Sequence, residues 1–167
     1  MFDYTREKMI IDNTDIQILE ILQRDSKTKM KDIANKVGMT ITPVYERIKK
    51  MERNGIIENY TITVNPKNLG FQLVAYCSVT LKEHSKENLK KFEEGVQDLQ
   101  PVLECNHLSG NFDYLLKVVV KNMEDYQVFI SDQLAALDNI GQVQSYFVMK
   151  AIKESTFSCK NAISSNT

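Results

Sequence analysis

The sequence predicts an α+β chain in two parts, three short helices followed by a unit with the element order β-α-β-β-α-β. Three observations predict it. Apolar residues recur at helical spacing in the first third of the chain and are punctuated by Gly38 and Asn54-Gly55. Beyond Pro66–Gly70, β-branched runs alternate with amphipathic helical patterns. The 167 residues, 43% hydrophobic and 26% charged, have the composition of one or two small globular domains. The expected division is residues 1–64, a linker over 65–70, a second domain over 71–155 and a polar tail over 156–167.

In the first part, Asp12-Asn13-Thr14 offers N-cap side chains ahead of Ile16, Leu19 and Ile21-Leu22. Thr28 is placed to cap a second helix through Met30, Ile33, Ala34 and Val37, ended by Gly38 at its favoured position. Thr40 is placed to cap a third helix running to Arg53, with Pro43 in its first turn, where a missing N–H costs little. Ile56–Val64 has the β-branched composition of one or two short strands, either a wing or the exit from the domain. In the second part, strands are expected at Leu73–Leu81, Val102–Leu108, Tyr114–Val120 and Val143–Ile152, with helices at Glu87–Val96 and Asp125–Leu137. This order is the split βαβ arrangement of ferredoxin-like folds.

Composition narrows the chemistry. The net charge of -1 excludes an overall basic coat for nucleic acid. No apolar run reaches the roughly 18 residues of a membrane span, and Met1–Asp12 lacks a signal-peptide core, so a cytoplasmic protein without membrane contact is expected. Cys77, Cys105 and Cys159 contain no CxxC pair, and there are two histidines and no tryptophan. A disulfide framework, a metal site or another cofactor is therefore not expected. Cys77 and Cys105 read as small buried hydrophobes, His84 as an exposed loop residue, and Asp12 and Asp15 as a helix cap and a first-turn acid.

Local charge is more telling. Lys27–Arg53 holds eight basic side chains against Asp32, Glu46 and Glu52, a local charge of +5. Two helices joined through Gly38-Met39 form the core of a helix-turn-helix, and the third helix is its reader. At 100° per residue, Ile41, Val44, Ile48 and Met51 cluster within about 80° and form the packed stripe. The opposite arc carries Thr42, Pro43, Glu46, Lys49, Lys50 and Arg53, with Arg47 at its margin and Thr40 at the N-terminus. Short side chains at the N-terminus of such a helix suit base edges, and basic ones suit phosphates. A solvated helix face has the same look in isolation. The tri-helical setting and the concentrated charge favour DNA. Glu46 suits a cytosine amino group, or the orientation of Lys50 or Arg53.

At this point the residues resemble a known family. Ile16–Ile57, with Asp15, Leu19, Gly38-Met39-Thr40, Val44, Arg47-Ile48, Met51-Glu52 and Gly55-Ile56-Ile57, resembles the N-terminal domain of the Lrp/AsnC transcriptional regulators. Cys105-Asn106-His107-Leu108-Ser109-Gly110-Asn111-Phe112-Asp113-Tyr114 is similar to the family's effector loop, and Tyr146–Lys150 to its final strand. The resemblance spans Asp12 to Lys153. It implies a helix-turn-helix domain joined to a regulator-of-amino-acid-metabolism (RAM) domain, homodimers formed through the second domain and often assembled into octamers, and an effector pocket between dimers. It also implies that Met123 and Tyr146 influence effector response. Asn111 departs from the family, where that position is often acidic.

A free amino acid presents an ammonium, a carboxylate and a side chain. Asp113 is suited to the ammonium by a charge-assisted hydrogen bond, and Gly110 lets backbone N–H groups approach a carboxylate. His107, Leu108 and Asn111 would face the ligand's side chain or a neighbouring subunit, and Ser109 belongs to the same effector-binding set. Ser109–Asp113 is equally good as a plain turn between two strands. The reading is a non-enzymatic, sequence-specific regulator of double-stranded DNA that responds to an amino acid. Its rivals are an effector-independent DNA-wrapping architectural protein and a ferredoxin-like enzyme of amino-acid metabolism. The enzyme lacks a visible nucleophile–base pair.

Overall fold

Residues 10–153 are described by the computed structural model. They divide into two units, one ending at Thr63 and the other beginning at Val64. The expected polar tail and Cys159 lie outside the described residues.

The first unit holds α1 (Asn13–Arg24), α2 (Met30–Lys36) and α3 (Ile41–Arg53). Asp12 starts α1 through a reciprocal box. Its Oδ1 accepts the Asp15 N–H at 2.9 Å, and Asp15 Oδ2 accepts the Asp12 N–H at 3.1 Å. Two donors that a helix start would orphan are thereby satisfied. Thr28 does not cap α2. Lys29 takes the N-cap position, and the Thr28 hydroxyl donates to the Asp25 carbonyl at 2.8 Å, closing the turn that leaves α1. Thr40 is the N-cap of α3 by backbone geometry, without a capping bond from its side chain. Gly38 ends α2 at φ +68°, and the Met39 N–H reaches back to the Ala34 carbonyl at 3.0 Å.

Ile18, Leu19, Ile33, Ala34, Val44, Ile48 and Met51 make one core from all three helices. Ile41, expected in that stripe, is 49% exposed. It is the first helical residue, and a side chain there leans back past the helix start, where no preceding turn offers cover. The strands expected over Ile56–Val64 do not form. Residues 58–65 are neither helix nor strand, and Tyr60, Ile62 and Val64 stand exposed. A strand needs a ladder partner, and this segment finds none among the described residues.

In the second unit, Pro66–Leu69 forms a 3-10 turn within the segment read as a linker, ended by Gly70 at φ +85°. Then come β1 (Leu73–Leu81), α4 (Lys86–Gln97), β2 (Val102–His107), β3 (Tyr114–Val120), α5 (Met123–Val128) and β4 (Ile140–Phe147). The sheet order is β2-β3-β1-β4, with every pair antiparallel. Alternation along the central strands directs Ala75, Cys77, Val79 and Leu81, and Tyr114, Leu116, Val118 and Val120, into one core. There they meet Phe92 and Val96 of α4 and Tyr126 of α5, so both helices cover the same face.

Three boundaries move for physical reasons. Asn122 accepts the Asp125 N–H at 2.8 Å and starts α5 two residues ahead of expectation. The helix continues as a π-helix over Phe129–Leu134, whose wider turn lets residues five apart, Phe129 and Leu134, both be fully buried. β4 begins at Ile140 because Asn139, at φ +68°, anchors the turn before it. The Asn139 side chain donates to the Glu83 carbonyl at 2.8 Å and accepts the Glu83 N–H at 3.0 Å. β4 stops at Phe147, short of Ile152. The Val148 N–H still reaches the Val74 carbonyl at 2.9 Å, but there β1 runs out.

Cys77 is fully buried, and its Sγ lies 3.0 Å from the Tyr126 hydroxyl, which donates to Ser145 Oγ at 2.6 Å. Cys105 is exposed on the edge strand β2, contrary to its reading as a buried hydrophobe, because α4 and α5 pack on the central strands. Truncating Leu116 at the centre of this core to alanine is expected to lower unfolding free energy by about 2–5 kcal/mol, measured by urea titration.

Candidate functional site

The exposed arc of α3 is the first candidate. Thr40, Thr42, Glu46, Lys50 and Arg53 are exposed and Pro43 is half-buried, while Val44, Ile48 and Met51 anchor the opposite side. Among the described residues, the Glu46 carboxylate meets neither Lys50 nor Arg53, so its proposed orienting part is not supported. Lys49 is less free than expected. Its Nζ lies 2.7 Å from Glu52 Oε2 and 5.8 Å from the centre of the Tyr45 ring. The Tyr60 hydroxyl donates to the other Glu52 oxygen at 2.9 Å, and burial, then that carboxylate, pushes its pKa up to about 12. Tyr45 is an exposed aromatic of this arc that the sequence reading passed over. Its one signal was the four-residue spacing to Lys49.

Arg47 does not belong with the cations of the arc. Its Nη1 lies 2.7 Å from Asp12 Oδ2 and 2.8 Å from Asp15 Oδ1, tying α3 to the start of α1. Asp15 is only 2% exposed, and a carboxylate so deeply withdrawn from water requires a cation beside it. The Asp15 N–H, and against opposing burial the Arg47 guanidinium, hold the Asp12 carboxyl below its ordinary range.

The second candidate is the turn between β2 and β3. His107, Leu108, Ser109, Gly110, Asn111 and Asp113 come together here, the first five exposed. The turn is pinned at its base. The Leu108 N–H donates to the Asp113 carbonyl at 2.8 Å, and the Asp113 N–H to the Val79 carbonyl at 2.9 Å. Above the base, Ser109, Gly110 and Asn111 keep their backbone N–H groups free among the described residues. A Cβ built on Gly110 would meet nothing within 4 Å, so nothing in the chain itself requires glycine there.

Asp113, read above as suited to an ammonium, already has partners within the chain. Oδ2 accepts the Leu81 N–H at 2.7 Å, and Oδ1 lies 2.9 Å from His84 Nε2. Burial raises its pKa, but the Leu81 N–H and the charges of His84 and His107 outweigh burial and leave it below the ordinary value. His84 is exposed, as expected, yet it belongs to this site. Spacing does not reveal this, because the partners are 29 positions apart. His107 stacks on the Tyr114 ring at 4.7 Å.

Met123 and Tyr146 are not brought to this turn. Met123 opens α5 just past the far end of β3, whereas the turn precedes its first residue. Tyr146 lies on β4 opposite Tyr76, which pairs with mid-strand Lys117. Among the described residues, no group of three or more His, Cys, Asp or Glu side chains is arranged to hold a metal ion, and no helix is long and apolar enough to cross a membrane.

A helix-turn-helix with an exposed arc on its third helix, followed by a ferredoxin-like domain, defines a DNA-binding transcriptional regulator with a ligand-binding domain. The comparisons agree. Residues 11–58 match a family described as winged helix-turn-helix DNA-binding, and residues 74–157 match the Lrp/AsnC ligand binding domain. The leucine-responsive regulatory protein of Escherichia coli (strain K12) is 34% identical over 145 residues, 87% of this chain and 88% of that protein. The chain belongs to the Lrp/AsnC family of transcriptional regulators. An AsnC family transcriptional regulator from Agrobacterium tumefaciens superposes with a TM-score of 0.83 at 37% identity, covering 88% of this chain and 95% of that one. A Neisseria meningitidis transcriptional regulator in complex with L-Met superposes at 0.87 with 28% identity, covering 92% and 100%.

Arg47→Met removes the cation that answers buried Asp15 and is expected to cost about 3 kcal/mol in denaturant unfolding. Because the Asp12 pKa is lowered on folding, its contribution is present above about pH 4 and is lost as pH falls through the folded value. An acid titration should therefore find Asp12→Asn less stable than wild type at neutral pH, with a smaller further loss below pH 4.

Proposed function

We propose that the protein is a homodimeric, sequence-specific regulator that reads double-stranded DNA with α3 and adjusts its assembly on DNA when an amino acid binds at the β2–β3 turn. The carrying observation is the arc of α3, where Thr42, Glu46, Lys50 and Arg53 stand exposed on a helix whose opposite side is locked in the core. Lys50 and Arg53 supply phosphate contacts. Thr40, Thr42 and Pro43, with Glu46 and the neutralised Lys49, face base edges and the groove wall.

Amino-acid binding is supported by the L-Met complex of the similar Neisseria regulator and by the chemistry of the turn. Free N–H groups of Ser109, Gly110 and Asn111 suit the ligand carboxylate, with room above Gly110 for its approach. Asp113 Oδ1 receives the ammonium, while Oδ2 stays tied to Leu81. His107, Leu108 and Asn111 border the ligand side chain. Met123 and Tyr146 are remote within one chain, so their part in the response requires a second copy. That need accords with dimers assembling into octamers around an interfacial pocket. No covalent step and no cofactor are involved, and the protein works in the cytoplasm with its DNA.

Lys50→Ala and Arg53→Ala should each weaken DNA binding broadly and lower the salt slope by about one. Lys49→Ala, whose charge Glu52 already answers, should change the slope less. An unchanged slope removes that residue from the phosphate contacts. Footprints on the DNA upstream of the protein's own gene should shift or weaken with one of the twenty amino acids. Asp113→Ala should abolish that response while leaving DNA affinity without amino acid nearly intact. Footprints that ignore every amino acid would leave the architectural reading in its place.

A further inference from the structure

The Asp113 oxygen assigned to the ligand is already occupied. His84 Nε2 lies 2.9 Å from Oδ1, and the Leu81 N–H holds the other oxygen at 2.7 Å. Oδ2 is bound to rigid backbone at the end of the central strand, so a newcomer has to meet the carboxylate at Oδ1. His84 is displaceable. It sits in the loop between β1 and α4, with its side chain 57% exposed, whereas Asp113 is 18% exposed. Swinging the ring into water therefore costs little packing.

We propose that His84 is an internal, proton-dependent competitor for the amino-acid ammonium at Asp113, so that the effector binds more tightly as pH rises through the imidazole range. The inference rests on the assignment of Asp113 Oδ1 to the ammonium. When His84 is protonated, its bond to Asp113 is charge-assisted, and an incoming ammonium must either displace a cation or share one carboxylate with it. When the imidazole is neutral, a weaker bond is exchanged for a stronger one. An unperturbed imidazole titrates near pH 6.5, whereas the ammonium of a free amino acid stays charged to well above pH 8. Ligand binding then releases a proton at and just above the ordinary imidazole value, where a ring freed into water has lost its proton and one paired with Asp113 would keep it, and affinity changes by at most about tenfold per pH unit.

The other titratable groups nearby are few. His107 of β2 also acts on Asp113 by its charge, but its ring is stacked on Tyr114. The Tyr114 hydroxyl is spent on Glu93 of α4 at 2.9 Å. Glu83, beside His84 in the loop, receives Asn88 Nδ2 at 3.1 Å, and Lys82 precedes it. None of these occupies Oδ1.

The test is calorimetric titration of the full chain with L-methionine and L-leucine from pH 5.5 to 8.0, repeated at pH 7 in two buffers of different ionisation enthalpy. Wild-type affinity for the probe that binds should rise about five- to tenfold across the range, with net proton release at pH 7. His84→Ala should bind more tightly than wild type at pH 5.5, with affinity nearly independent of pH. His84→Gln, which keeps a donor without a titrating charge, should also be flat. His107→Gln, which removes the second imidazole charge acting on Asp113, should keep most of the rise with pH. Wild-type affinity that is flat, or that rises toward acid, overturns the proposal and leaves the amino-acid site standing. So does a pH dependence that survives both His84 variants. Failure of either probe, and of the remaining amino acids, to bind at any pH overturns the site itself, and His84's part falls with it.

Discussion

A carboxylate withdrawn from water has to be answered by donors on its own chain, and this constraint orients the candidate element in each unit. In the first unit the carboxylate is Asp15, 2% exposed, and the answer is Arg47 at 2.8 Å together with the Asp12 N–H at 3.1 Å. One guanidinium, bound to both Asp12 and Asp15, thus joins the start of α1 to the middle of α3. The helix is consequently fixed in rotation, with Val44, Ile48 and Met51 inward and Lys50 and Arg53 outward. In the second unit the carboxylate is Asp113, whose oxygens meet the Leu81 N–H and His84. That contact staples the β2–β3 turn to the end of the central strand and leaves the Ser109–Asn111 backbone projecting.

The two carboxylates differ in what can replace their partners. Arg47 is built into the junction of two helices, and removing it strands a buried charge. His84 is a loop residue with its side chain 57% exposed, and without it Asp113 would still hold the Leu81 N–H. Burial of the pair separates a structural contact from an exchangeable one. The same contrast applies along α3, where Lys49 is neutralised by Glu52 while Lys50 and Arg53 keep their charge available.

Much of the fold was legible. The limits of β1 and β3 follow from apolar, partly β-branched runs in strands with neighbours on both sides, which fix both ends. Edge elements were less legible. β4 moved because Asn139 anchors its start and β1 ends opposite Val148. The segment over Ile56–Val64 has strand composition without a partner, and composition alone does not supply one. The reading arc and the turn were also visible, since both are contiguous in sequence and carry their own caps and breakers.

What the sequence by itself determined is therefore local: helix periodicity, the stops at Gly38 and Gly55, alternation along the strands, and which residues crowd the turn. These depend on interactions spanning a few positions, which spacing displays. Only the tertiary structure decided which charges are spent. Arg47 and Asp15 are 32 positions apart, and His84 and Asp113 are 29 apart. No periodicity relates such pairs, because they meet only where packed elements bring the chain back on itself.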